Sequence, residues 1–259
     1  MKDMKRFVVT TSHKPKREQV VLARRIADEL NCRYVSRRRL SDIKDEIDFY
    51  YVVEKERVVL RFGNEVLFFH PSMAKVRYIN IKKGMGDHLI EALKLEGNEL
   101  ILDATFGLGS EAILMANFLK DGKVVGLEAS KHIYTIVKYG FKFYKPKEKW
   151  ITKALKKIEI LNEDFKSFIR KSKDKSFDIV YCDPMFENPI YESDSMNPLR
   201  PFAVYDTVDE EDVEEMLRVA RKRIVLKSRV GDGLFERIKV DEIIGGKRLI
   251  MYGVIEVKG

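Results

Sequence analysis

The sequence predicts an α/β protein: a doubly wound, mainly parallel, Rossmann-like sheet of the seven-stranded type over residues 87–259, preceded by a smaller α+β subdomain over residues 1–86. Three observations carry this. From Asp87 onward, short apolar runs alternate with segments whose apolar residues recur at helical spacing, the pattern of consecutive βα units. Leu100–Ala112 (LILDATFGLGSEA) runs from a strand through an acid into a Gly-rich turn and a helix start. Ahead of both, Phe49–Phe69 holds three short apolar runs joined by tight turns, a β-meander. A chain of 259 residues has room for a main domain with an annex and for a sizeable core.

Phe7–Thr11 is a β-branched strand, and Lys16–Asn31 repeats Val20, Ala23, Ala27 and Leu30 at helical spacing, completing one βα unit. Arg33–Val35 returns as a second strand. Arg37, Arg38 and Arg39 then form a basic knot, either a solvated helix start or a phosphate contact, before a short amphipathic piece with Leu40, Ile43 and Ile47. Phe49–Val53, Val58–Phe62 and Val66–Phe69 make the meander, with its tight turn at Gly63-Asn64. Residues 70–86 set Lys75, Arg77, Lys82 and Lys83 around Tyr78; this suits a nucleic-acid contact surface, and equally a plain connector.

Asp87 caps a helix that turns Leu89, Ile90 and Leu93 to the core. Strand Leu100–Leu102 precedes helix Ser110–Leu119, and strand Val124–Leu127 precedes helix Ser130–Tyr144. A Lys-rich stretch with Trp150 leads to strand Ile158–Leu161, a short helix Phe165–Arg170 and strand Phe177–Cys182. A long Pro-containing loop, helix Glu210–Arg221 and strand Arg223–Lys227 follow, then a short helical piece Leu234–Ile238 and a closing strand Leu249–Val257, whose short connection suits an antiparallel partner.

With 49 Lys and Arg against 41 Asp and Glu, the chain carries a net charge of +8, which suits either a polyanionic partner or a solvated, ion-paired surface. Cys32 and Cys182 stand far apart, with no C-x-x-C spacing and no signal peptide ahead of them, so a reduced, cytoplasmic protein is expected. No apolar run approaches membrane-spanning length. His13, His70, His88 and His132 form no ligand pattern, and no metal is expected.

Ligands of open α/β sheets bind outside the carboxyl ends of the strands. Acids stand at those ends: Asp103, Glu128 and Asp183, with Glu163 or Asp164 after the third strand. Gly107, Gly109 and Ala112 satisfy the dinucleotide fingerprint G-x-G-x-x-A, but Asp103 at the mouth of the turn would repel a pyrophosphate. S-adenosylmethionine (SAM) carries a sulfonium and an ammonium instead, and Asp103 attracts both. Ala104, Thr105, Phe106, Gly107 and Gly109 then form the cofactor loop, Glu128 with Ala129 meets the ribose hydroxyls, and Asp164 accepts from the adenine amino group. Each acid has a plainer reading as a helix N-cap.

Tyr181–Phe186 (YCDPMF) ends a strand in Asp-Pro with an aromatic two residues on, and resembles the D-P-P-Y/F motifs of methyltransferases acting on amino nitrogens. Asp183 and the Pro184 carbonyl can accept the two amino hydrogens and aim the nitrogen lone pair, with Met185 completing the turn and Phe186 stacking on the base. Taken together, LDATFGLGSEA, DPMF, the VLKSR segment at Val225–Arg229 and the upstream MAKVR…KKGMGD resemble the RsmJ/YhiQ-type family of 16S ribosomal RNA guanine-N2 methyltransferases, over roughly residues 70–257. The resemblance implies a class I methyltransferase fold, SAM as donor, a guanine of 16S rRNA or the small ribosomal subunit as acceptor, and Asp183, Pro184, Met185 and Phe186 as the catalytic turn. Thr105 departs from the glycine of the general D-x-G-x-G-x-G motif, and the loop after DPMF is acidic until Arg200. Lys75, Arg77, Lys227 and Arg229 are expected to contact RNA, and the Pro-rich loop Glu187–Pro201 is expected to act as a lid, or to be a rigid surface loop. A methyltransferase of a protein or small molecule, an NAD-linked oxidoreductase and a non-catalytic RNA-binding module are the alternatives.

Overall fold

Hydrogen bonding sorts the strands into two sheets. The computed structural model describes residues 6–184, 198–247 and 249–258, and the chain divides into two compact units. The first takes in residues 6–70, Lys131–Lys145 and residues 198–201. The second takes in residues 71–130 and 146–184 and the described part of 202–258.

In the first unit, β1 (Phe7–Thr11), α1 (Arg17–Glu29), β2 (Arg33–Tyr34), β3 (Phe49–Val53), β4 (Val58–Phe62) and β5 (Glu65–Phe68) build a five-stranded sheet in the order β2-β1-β3-β4-β5. β1 is parallel to β2 and β3, while β3, β4 and β5 form the expected antiparallel meander. α1 buries Ala23, Ile26 and Ala27, the small and branched residues of its apolar stripe. The helix Lys131–Phe143 belongs here as well. Its His132 bonds Tyr51 Oη at 2.8 Å and stands edge-on to the stacked rings of Phe7 and Phe49.

The second unit holds the larger sheet. Its strands are β6 (Leu100–Asp103), β7 (Lys123–Leu127), β8 (Ile158–Leu161), β9 (Phe177–Cys182), β10 (Ala220–Arg229), β11 (Glu242–Gly245) and β12 (Ile250–Glu256), in the order β11-β12-β10-β9-β6-β7-β8. All pairings from β10 through β8 are parallel, and β12 is antiparallel to β10 and β11. This is the doubly wound, mainly parallel sheet the sequence predicts. The order reverses at β6, so the carboxyl ends of β6 and β9 flank the switch point. Central strands are buried on both faces: Ile101, Leu102, Ile179, Val180, Val225 and Leu226 are each 0% exposed.

Its helices are α2 (Ser72–Lys82), α3 (His88–Leu93), α4 (Ser110–Phe118), α6 (Lys149–Leu155), α7 (Phe165–Lys171), α8 (Glu210–Val219) and α9 (Leu234–Arg237); α5 is the Lys131–Phe143 helix of the first unit. Two helices lie where the sequence reads as contact surface or Lys-rich connector. α2 escapes periodicity analysis because its apolar residues run all round it: Ala74 is buried while Met73, Val76 and Ile79 are about half exposed. α6 buries Ile151 and Ala154 within a stretch of lysines. The division between units falls after His70, so α2 groups with the larger unit. β10 begins at Ala220, ahead of the expected strand, and β11 is a further edge strand.

Candidate active site

β6 pairs through Asp103 with Gly126 on β7 and Tyr181 on β9, which brings the three carboxyl ends level. The loop after β6 is held by backbone bonds to both neighbours: Ala104 N–H donates to Tyr181 O at 2.8 Å and Phe106 N–H to Leu127 O at 2.9 Å. Phe106 is 3% exposed, and its ring fills the space that a side chain at Gly126 or Gly109 would take. Gly107 (φ +56°) and Gly109 (φ +74°) carry the chain through left-handed geometry into α4. A Cβ at Gly107 would stand in open space, so a ligand can approach that backbone closely.

Asp103 is 1% exposed. Its Oδ1 accepts the Thr105 N–H at 3.2 Å, and its Oδ2 is buried with no hydrogen-bond partner among the described residues. Burial, with Glu111, Asp183 and Glu128 nearby, pushes its pKa well above the ordinary carboxylate value. A carboxyl held this way favours a cationic ligand, since a neighbouring positive charge stabilises its ionised form. Glu128 is 8% exposed, and its two oxygens accept the N–H groups of Gly107 (2.9 Å) and Ser130 (2.8 Å). Burial raises its pKa to about 7 against those two bonds. Asn162, unremarked in the sequence, donates to the Glu128 and Ala129 carbonyls and braces the end of β7. Ala129 is exposed beside it.

Thr105 has a reason to replace the motif's glycine: its Oγ1 accepts the Asp183 N–H at 2.6 Å, tying the β6 loop to the residue after β9. Pro184 is buried; Met185, Phe186 and residues 187–197 of the proposed lid lie outside the described residues. Asp164 stands at the start of α7, where its Oδ1 accepts the Ser167 N–H at 2.9 Å as a helix N-cap, the plainer of its two readings.

The basic residues are arranged differently from the expected RNA-facing set. Lys227 points inward: its Nζ lies 2.6 Å from Asp183 Oδ2 and 3.4 Å from Glu111 Oε1. Arg77 of α2 also turns inward, reaching Glu111 Oε1 at 3.2 Å and gripping Asp87 with two bonds of 2.8 and 2.7 Å. Asp87 in turn caps α3 by accepting the Leu89 and Ile90 N–H groups. Lys75 pairs with Glu148 at 2.9 Å, and Arg229 ends β10. Removal from water makes free ammonium and guanidinium groups costly, so Lys227 and Arg77 are satisfied by carboxylates. Burial and Glu111 push the Asp183 pKa up while Lys227 opposes them; Lys227 and Arg77 hold Glu111 below its ordinary value. Glu111, which the sequence does not single out, is thus part of the site. Its only sequence signal is its position two residues past Gly109, in the first turn of α4. Among the described residues, no group of three or more His, Cys, Asp or Glu side chains is disposed to hold a metal ion, and no helix is long and apolar enough to cross a membrane.

The residues around the β6 loop fit SAM: a buried carboxyl oxygen that no described residue bonds, for its positive charge, an open glycine backbone, and an acid at the end of β7 for a diol. Comparison with known proteins agrees. The family model described as "Putative SAM-dependent methyltransferase" matches residues 35–248. The uncharacterised protein YpiP of Bacillus subtilis is 32% identical over 254 residues, covering 96% of this chain and 99% of that one. Ribosomal RNA small subunit methyltransferase J of Francisella tularensis subsp. novicida is 26% identical over 141 residues, 54% of this chain and 57% of that protein, so the match spans little more than half of each. The crystal structure of the SAM-dependent methyltransferase NGO1261 from Neisseria gonorrhoeae superposes with a TM-score of 0.68 at 18% identity, over 97% of this chain and 96% of that one, and shares its fold.

Proposed function

Because this chain belongs to the SAM-dependent methyltransferase family, we propose that it methylates an exocyclic amino nitrogen of a nucleobase, with guanine N2 of 16S ribosomal RNA as the acceptor. The observation that carries this reading is Asp183, followed by Pro184 at the end of β9 and bonded through its N–H to the cofactor loop at Thr105. The half-length likeness to ribosomal RNA small subunit methyltransferase J and the net charge of +8 support an RNA acceptor.

SAM supplies an electrophilic methyl group bound to positively charged sulfur. Asp103, the backbone of Ala104–Gly109 and Glu128 with Ala129 bind the donor. An amine conjugated to a base ring is a weak nucleophile, and Asp183 and the Pro184 carbonyl accept its two hydrogens, which orients its lone pair. The bound donor would supply the methyl carbon to that lone pair, its sulfur keeping the electron pair of the bond given up. Positive charge builds on nitrogen during this step, and the Asp183 carboxylate stabilises it. The proton leaving nitrogen passes to Asp183 and then to water. The first unit, with Lys14, Lys16, Arg17 and Arg37–Arg39, contacts the RNA backbone.

Incubating the protein with labelled SAM and small-subunit RNA from cells lacking its gene, then mapping nucleosides by mass, tests both acceptor and chemistry. N2-methylguanosine is expected, with a loss of about 100-fold or more in kcat for Asp183→Asn. Label on another nucleoside would replace the guanine assignment, and an Asp183→Asn enzyme at wild-type rate would remove the role of Asp183.

A further inference from the structure

Five side chains from separate elements form one line of alternating charge: Asp183 after β9, Lys227 on β10, Glu111 on α4, Arg77 on α2 and Asp87 at the start of α3. Their side chains are only 10–26% exposed. Lys227 sits directly opposite Tyr252 of β12 in the antiparallel register, and its neighbour Leu226 is paired with Cys182, so the sheet itself delivers the ammonium to Asp183. Both strands are central to the sheet, which leaves this position little freedom to drift.

We propose that Lys227 is a positioning residue for methyl transfer: its ammonium fixes Asp183 as an aimed carboxylate, and Glu111, clamped by Arg77, fixes the ammonium. The proposal rests on the reading of Asp183 given above and adds to it a second residue with a different task. Lys227 takes the Oδ2 oxygen at 2.6 Å and the Thr105 hydroxyl takes the backbone N–H at 2.6 Å, so among the described residues Oδ1 is left to accept a hydrogen from the substrate amine. One anchor on its backbone and one on its carboxylate hold Asp183 in place before substrate arrives, and preorganisation of this kind is where electrostatic catalysis gains most.

The same arrangement explains why the lysine is needed. Asp183 faces Glu111 and, in the buried neighbourhood beyond it, Asp103, with the hydroxyls of Tyr181 and Tyr252; of the cations, it faces Lys227 and Arg77. Without the ammonium, burial and the Glu111 charge would favour the protonated acid, which offers the amine a donor where it needs an acceptor. Lys227 itself takes no proton in the reaction, because two carboxylates hold it protonated far above neutral pH. Arg77 keeps Glu111 from swinging away from the lysine: it bonds Glu111 with one guanidinium nitrogen while its other two nitrogens are committed to Asp87. Ion pairs this far from water seldom add net stability over apolar packing, so the network is better accounted for by the geometry it imposes on Asp183.

The test compares wild type with Lys227→Met, Lys227→Arg and Asp183→Asn, measuring SAM affinity by calorimetry, thermal unfolding, and kcat between pH 6 and 9. Lys227→Met is expected to keep SAM affinity within about threefold, to lose about 100-fold in kcat at pH 7, and to recover activity as pH rises, with an apparent pKa at least one unit above wild type. Lys227→Arg is expected to restore most of the loss, and Lys227→Met combined with Asp183→Asn to be no slower than Asp183→Asn alone. A Lys227→Met enzyme with the wild-type kcat and pH profile, while Asp183→Asn is inactive, overturns this proposal and leaves the role of Asp183 standing. An active Asp183→Asn enzyme overturns the earlier reading as well. Should Lys227→Met fail to fold, Glu111→Gln and the difference infrared spectrum of wild type against Asp183→Asn decide: an Asp183 already protonated at pH 7 in the wild type overturns the proposal, and an ionised Asp183 with a lowered kcat for Glu111→Gln upholds it.

Discussion

Replacing Thr105 with Val removes one oxygen atom and nearly nothing else, and that oxygen joins the cofactor loop to Asp183. The Thr105 Oγ1 accepts the Asp183 N–H at 2.6 Å. In the variant this half-buried N–H faces a methyl group, and a polar group left unsatisfied costs about 1–3 kcal/mol. Because Asp183 retains some exposure, the lower part of that range applies, about 1–2 kcal/mol. With a urea dependence of about 2 kcal/mol per molar, the unfolding midpoint falls by about 0.5–1 M. Trp150 is the one tryptophan of the chain; it lies on α6 in the larger unit, with its ring centroid 4.2 Å from that of Tyr78, so its fluorescence reports the unfolding of the unit that holds the site. The functional loss exceeds the stability loss, because Asp183 is freed at the end where the β6 loop holds it; a displacement approaching 1 Å costs about 100-fold in rate. Thr105→Ser keeps the hydroxyl and is expected to stay within about fivefold of wild type, as one retained hydrogen bond implies. A Thr105→Val protein with unchanged midpoint and unchanged kcat would show that this bond neither holds the loop nor positions Asp183.

Two more outcomes follow from the cofactor loop. Burial raises the Glu128 pKa from the ordinary carboxylate range to about 7. A carboxyl raised in the folded state contributes stability below its unfolded pKa and loses it as pH rises through the folded value, at about 1.4 kcal/mol per pH unit or roughly 3 kcal/mol in all. The Trp150 urea midpoint should therefore fall between pH 5 and pH 8, and Glu128→Gln should flatten that fall; an unaltered slope in the variant would assign the pH dependence elsewhere. Gly107→Ala puts a methyl group into open space at φ +56°, so it should cost about 1 kcal/mol in stability while weakening SAM binding by more than tenfold in calorimetry. Full SAM affinity would mean that the donor does not approach this backbone.

The parts of the fold legible in the sequence are those governed by local rules. The central strands β6, β9 and β10 announce themselves because their buried stretches, Ile101–Leu102, Ile179–Cys182 and Ile224–Leu226, are covered on both faces and read as short apolar runs. Gly107 and Gly109 mark the loop because left-handed backbone geometry is cheap for glycine alone. α2 was illegible for a matching reason: half-exposed Met73, Val76 and Ile79 leave no polar face to reveal its period. Asp164 shows the limit of local reasoning at the site, since a cap and a ligand contact call for the same residue in the same place.

By itself the sequence determined most of the strands and helices, though not α2, α6 or β11, together with the glycine loop and the acids that close β6, β7 and β9, because each of these follows from the chemistry of a few consecutive residues. Only the tertiary structure decided what those acids face. Lys227 reads as an exposed cation at the end of a strand, yet the parallel register of β9 and β10 sets it against Asp183, 44 positions earlier in the chain. Arg77 reads as part of a basic patch, yet α2 carries it to Glu111 and Asp87. Charge is a property of a residue, but whether that charge meets solvent, substrate or another side chain depends on contacts between distant segments, and those exist only once the sheet has formed.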